Sequence, residues 1–80
     1  MSRTLGSPRQ EALRRLLVAE REKAGLSQQE LAEELKQHQS LVARIESGQR
    51  RIDVVEFLEL AEVIGFDPAR AVQKIKAHKR

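Results

Sequence analysis

The 80-residue sequence predicts an all-α fold, a compact bundle of five short helices. Helix starts are written into it. Ser7-Pro8-Arg9-Gln10, Ser27-Gln28-Gln29-Glu30, Asp53 with Glu56, and Asp67-Pro68 each place a side-chain acceptor just before a first turn. A Gln or Glu three residues on, or a Pro inside that turn, strengthens each one. Helix stops are the second observation: Gly25, Gly48 and Gly65 follow three of the segments, where a left-handed residue closes a helix. Between starts and stops the apolar residues recur every three or four positions, the period of a helix with one buried face.

Residues 1–6 are expected to be a flexible N-terminus, 7–77 a single domain, and 78–80 a basic tail. The first helix runs from its Ser7 cap to about Ala24, with Ala12, Leu13, Leu16, Leu17 and the aliphatic stem of Glu20 facing inward. The second opens at the Ser27–Glu30 capping box. The third begins near His38 or Gln39, where His38 is a poor N-cap, and Gly48 stops it. Gln49 to Ile52 forms a basic loop. In the fourth helix Val54, Phe57, Leu58, Ala61 and Ile64 recur at helical spacing and are expected in the core. The fifth starts at Asp67-Pro68 and carries a short apolar stripe, Val72 and Ile75.

Leu26 to Glu46 organises the rest. Leu31 and Leu35 are an i,i+4 pair on one short helix, Val42 and Ile45 an i,i+3 pair on the next. The two stripes meet only if the chain turns sharply between them, and the small Ala32 permits a close approach. Gln39, Ser40, Ala43 and Arg44 then lie on the opposite, solvent-facing side of the later helix. A short polar helix surface of this kind suits reading base edges in the major groove of double-stranded DNA.

The pattern GLSQQELAEEL…QSLVARIESGQRR resembles the helix-turn-helix of lambda-repressor/Cro-type regulators, the XRE family, over roughly residues 13–65. The resemblance implies a lambda-repressor-like fold with its helix-turn-helix in helices 2 and 3. It implies that Gln39, opening the recognition helix, reads a base, while Gln28 braces it and touches a phosphate. It also implies that Glu46 pairs with Arg21 of the first helix. One position departs from the family: the turn residue after Leu35, usually Gly, is Lys36. A left-handed non-Gly residue costs about 1 kcal/mol, so the turn is expected to be slightly reshaped.

The net charge of +3 is unevenly spread. Residues 36–51 carry +3 and residues 70–80 carry +5 with no acid, whereas residues 52–69 carry −5. Positive charge on the third helix and its following loop points to a polyanionic partner, with the acidic remainder facing away. For the C-terminal run, a solvated charged surface explains the sequence equally well. Cysteine is absent, which excludes disulfides and thiolate metal sites, and the two isolated histidines, His38 and His78, form no metal site. No metal or other cofactor is expected. No apolar run approaches the roughly 18 residues that span a bilayer, and no signal-peptide pattern opens the chain, so a cytoplasmic protein is expected.

Each candidate residue has a bland reading beside the functional one. Gln28 and Gln39 could be solvated helix-start glutamines. The surrounding pattern favours a bidentate contact of Gln39 with adenine N6 and N7, which discriminates by about 1–3 kcal/mol. Ser40 and Arg44 lie one turn apart on the exposed face; Arg44 fits guanine or phosphate, and its bland alternative is a pair with Glu34 or Glu46. Arg50 and Arg51 read as phosphate clamps.

The expected function is a sequence-specific DNA-binding transcriptional regulator, a homodimer on a palindromic site, with Val72 and Ile75 in the interface. The alternative for that stripe is a lid in which Phe66, Val72 and Ile75 fold back over helices 1 and 4. Alternative functions are the antitoxin of a toxin–antitoxin pair, with a toxin as protein partner, or a helical protein-interaction module without DNA binding. No catalytic residues are identified, since the chain has no Cys or Tyr and too little bulk to enclose a pocket.

Overall fold

The computed structural model describes residues 7–79; the expected flexible segment 1–6, and Arg80 of the tail, lie outside them. Five helices follow in order: α1 (Pro8–Lys23), α2 (Gln28–Leu35), α3 (Gln39–Glu46), α4 (Val54–Ile64) and α5 (Pro68–Lys76). No strand occurs among the described residues.

The caps act as their side chains dictate. Ser27 accepts from the Glu30 amide while Glu30 reaches back to the Ser27 amide, and Asp53 and Glu56 do the same for α4. At α1 only half of the expected box forms: Ser7 accepts from the Gln10 amide, without the reciprocal bond. Asp67 accepts from the amides of Ala69 and Arg70 at the start of α5. His38 takes the extended N-cap conformation of α3 but supplies no side-chain bond.

The turn between α2 and α3 places a left-handed residue where the family usually has Gly. Lys36 adopts the left-handed conformation itself (φ 58°, ψ 43°), and the Gln37 amide donates to the Ala32 carbonyl at 2.9 Å. These bonds satisfy carbonyls at the end of α2 that have no partner within the helix. They outweigh the strain of a lysine in a glycine's conformation.

The core lies between α1, α2, α3 and α4, with α2 packed most extensively on α3. Leu31 and Val42 are the largest side chains wholly removed from water, and Ala32, 1 % exposed, gives the close approach between them. Leu17 is the one residue of α1 that is fully buried; Leu13 and Leu16 pack half-buried against the core.

In α4 the buried face is rotated from the expected one. Phe57, Leu60, Ala61 and Ile64 are buried, whereas Val54 and Leu58 are 74 % and 44 % exposed. Both sets fit a 3.6-residue period. The arc that faces the bundle runs through Leu60, Phe57 and Ala61, and Leu58 lies about 100° round from Phe57. Val54 sits in the first turn, beyond the edge of the core.

Helix α5 packs on α1 and α4. Phe66, in the loop before it, stacks obliquely on Phe57 with ring centroids 5.8 Å apart, and Ala71 is buried. Ile75 is half-buried, while Val72 remains 50 % exposed. The lid therefore uses Phe66, Ala71 and part of Ile75, and leaves Val72 over. Arg9 fastens the end of α5 by donating to the carbonyls of His78 at 2.8 Å and Lys76 at 3.1 Å.

Candidate nucleic-acid interface

Helix α3 buries Val42, Ile45 and Glu46 and turns its other side to solvent. Gln39, Ser40 and Arg44 are exposed and Ala43 is half-buried, so the four expected residues share the outer surface of α3. Among the described residues Arg44 forms no ion pair, with Glu34, Glu46 or any other carboxylate.

Behind that surface runs a chain of charged and polar groups. Arg21 of α1 grips the Glu46 carboxylate with two nitrogens, Nε to Oε2 at 2.7 Å and Nη2 to Oε1 at 3.0 Å. Its remaining nitrogen, Nη1, donates to the Leu26 carbonyl at 2.7 Å. Both side chains are largely withdrawn from solvent, 11 % and 7 % exposed. The Arg21 pKa is raised, chiefly by the hydrogen bond to Glu46. Gln28 Nε2 donates to the same Glu46 Oε1 at 2.9 Å, and Gln39 Nε2 donates to Gln28 Oε1 at 2.7 Å. Gln28 thus braces Gln39 directly, and Arg21 pairs with Glu46.

Arg14, one heptad before Arg21 on α1, adds a contact that the sequence reading missed. Its Nη1 donates to the Glu46 carbonyl at 2.9 Å, placing a cation at the C-terminal end of α3 where helix carbonyls lack partners. The side chain also pairs with Glu11 and passes over Gly48, whose φ of +85° suits a residue without a Cβ. Two arginines seven residues apart, hence on one face of α1, were the available signal.

The basic loop divides its two arginines. Arg50, expected from sequence to be a phosphate clamp, forks onto Glu56 of α4, Nη2 to Oε2 at 2.8 Å and Nη1 to Oε1 at 3.2 Å. The hydrogen bond from Arg50, then that from the Asp53 amide, hold the Glu56 carboxyl below the usual carboxylate range. Arg51 is exposed and makes no ion pair among the described residues. The reason for the split is the capping box: Glu56 must reach back to Asp53, which brings its carboxylate under Arg50.

Comparison with known proteins identifies the family. A family model described as helix-turn-helix matches residues 17–70, more than half of the chain. The chain belongs to the XRE family of helix-turn-helix DNA-binding regulators. A solved structure of an XRE-family like protein from Pseudomonas syringae pv. tomato str. DC3000 is 42% identical to it, with a TM-score of 0.81. That similarity covers 86% of this chain and 84% of the other. A search of curated proteins found no match. In this XRE-family domain none of the described helices is long and apolar enough to cross a membrane.

Proposed function

We propose that this XRE-family domain is a sequence-specific transcriptional regulator of the cytoplasm that lays α3 in the major groove of duplex DNA. The carrying observation is Gln39: its amide is braced by Gln28 at 2.7 Å while its side chain stays exposed at the start of α3. A bidentate contact needs an amide with one edge free and little freedom left to lose on binding, and this one has both. Gln39 reads adenine; Ser40 and Arg44 contact base edges or the flanking backbone; Ala43 meets a thymine methyl. Gln28 retains a second N–H for phosphate. Arg51 makes the phosphate contact of the basic loop, and Arg50 holds that loop to α4, with its charge offset by Glu56.

The regulator acts as a homodimer on a palindromic site, because one such module reads only a few base pairs. Val72, 50 % exposed on α5, is the centre of the proposed interface. Half-buried Ile75 lies beside it, and Val54, 74 % exposed, faces the same groove. A helical protein-interaction module would have no use for an open, braced Gln39.

Selection of bound duplexes from a random pool tests the whole reading. Enrichment of a palindrome with half-site centres about 10 base pairs apart is expected. Gln39→Ala is expected to erase the preference at one base pair per half-site, about 1–3 kcal/mol, with little loss on random DNA. A pool that emerges without enrichment removes the regulator reading.

A further inference from the structure

We infer that Glu46 is a positioning residue for base reading: through Gln28 it sets which end of the Gln39 amide is donor and which is acceptor. This rests on the proposed reading of DNA by Gln39 and deepens it.

The inference follows from counting donors and acceptors. An ion-paired carboxylate only accepts hydrogen bonds. Glu46 is gripped by the Arg21 fork, so the Gln28 amide must turn its nitrogen towards Oε1, as it does at 2.9 Å. With its nitrogen end turned to Glu46, Gln28 turns its oxygen end to Gln39. Gln39 must then present nitrogen, which it does at 2.7 Å. The nitrogen end of Gln39 therefore faces Gln28 and the oxygen end faces away, with one N–H and one oxygen lone pair still open along the outer edge.

That order is information. Adenine displays an acceptor, N7, beside a donor, N6, and the two appear in opposite order along the groove when the base pair is reversed. Turning Gln28 over would exchange donor and acceptor on Gln39 and fit the opposite orientation of the pair. A buried carboxylate that makes no DNA contact thus selects the strand on which adenine is read. Nothing else among the described residues hydrogen-bonds the Gln28 amide, so the choice passes through Glu46 alone.

The test is Glu46→Gln, measured with Gln28 intact and again in Gln28→Ala. An amide at position 46 can donate to Gln28, which frees Gln28 to turn over. The readout is the ratio of Kd values for duplexes with A·T, T·A, G·C or C·G at the Gln39 position. With Gln28 intact, Glu46→Gln is expected to cut the preference for A·T over T·A by about tenfold. In the Gln28→Ala background the same change is expected to move that ratio less than about twofold, because the path is already cut. An undiminished preference, or an equal loss in both backgrounds, overturns the inference; the second result makes Glu46 a structural residue only.

A measurement on the unaltered domain keeps the question open to test if the variant does not fold. The side-chain amide protons of Gln28 and Gln39 are expected to exchange with solvent more slowly than those of exposed Gln49 and Gln73. Equal rates would show that the chain of bonds does not exist in solution. The two readings fail separately. A wild-type domain that prefers no base pair anywhere refutes DNA reading, whereas the exchange rates still decide the Glu46 chain.

Discussion

Arg21→Ala is expected to destabilise the domain severely although residue 21 lies behind the proposed DNA-facing surface. The substitution removes two hydrogen bonds to Glu46 and one to the Leu26 carbonyl, and leaves a carboxylate that is 7 % exposed with Gln28 as its remaining side-chain donor. Breaking a buried pair by deleting one partner costs about 3–5 kcal/mol, since the other charge stays desolvated without compensation. A chain of 80 residues has on the order of 4–12 kcal/mol in total. At about 4–8 °C per kcal/mol, the thermal midpoint falls by at least about 12 °C. The assay is a circular-dichroism melt at 222 nm beside the wild type. An exposed pair would cost at most about 1 kcal/mol, or less than about 8 °C. A fall in that smaller range would refute the assignment of the pair as buried and stabilising. Arg21→Met with Glu46→Leu is expected to cost less than Arg21→Ala alone, because it leaves no stranded charge.

Four further outcomes are expected. Arg51→Ala flattens the slope of log K against log salt by about 0.9 per monomer, whereas Arg50→Ala, whose guanidinium is already neutralised by Glu56, changes it less; equal changes would place both on phosphate. Glu56 has its folded pKa lowered, so its contribution is present above the unfolded value and lost as pH falls through the folded one. Urea midpoints measured from pH 7 to pH 3 are therefore expected to drop more steeply for the wild type than for Glu56→Gln, and parallel curves would show that the Arg50 pair adds nothing. Lys36→Gly relieves about 1 kcal/mol of left-handed strain and returns part of it as chain entropy, for a net rise of a few °C in midpoint; an unchanged midpoint would mean that the strain does not exceed the chain entropy Gly gains. Val72→Asp yields a folded monomer in sedimentation, and a persistent dimer would move the interface elsewhere.

Local chemistry settled in the sequence alone what local chemistry can settle. Ser27, Asp53, Asp67 and the glycines at 25, 48 and 65 mark helix ends because capping needs only neighbours a few residues away. The facing stripes Leu31/Leu35 and Val42/Ile45 oblige a turn, and the polar residues they leave outside define the outer side of α3. The pairing of Arg21 with Glu46 was legible too, though only through family resemblance. What the sequence left undecided depends on partners far along the chain. The stripe of α4 fits two phases, and only the walls supplied by the rest of the bundle select Leu60 over Leu58. Arg50 and Arg51 are adjacent and chemically identical, and the reach of Glu56 back to Asp53 decides which of them is neutralised. The polarity of Gln39 is set by a carboxylate at the other end of α3 and an arginine on α1, a route through space that spacing along the chain does not encode.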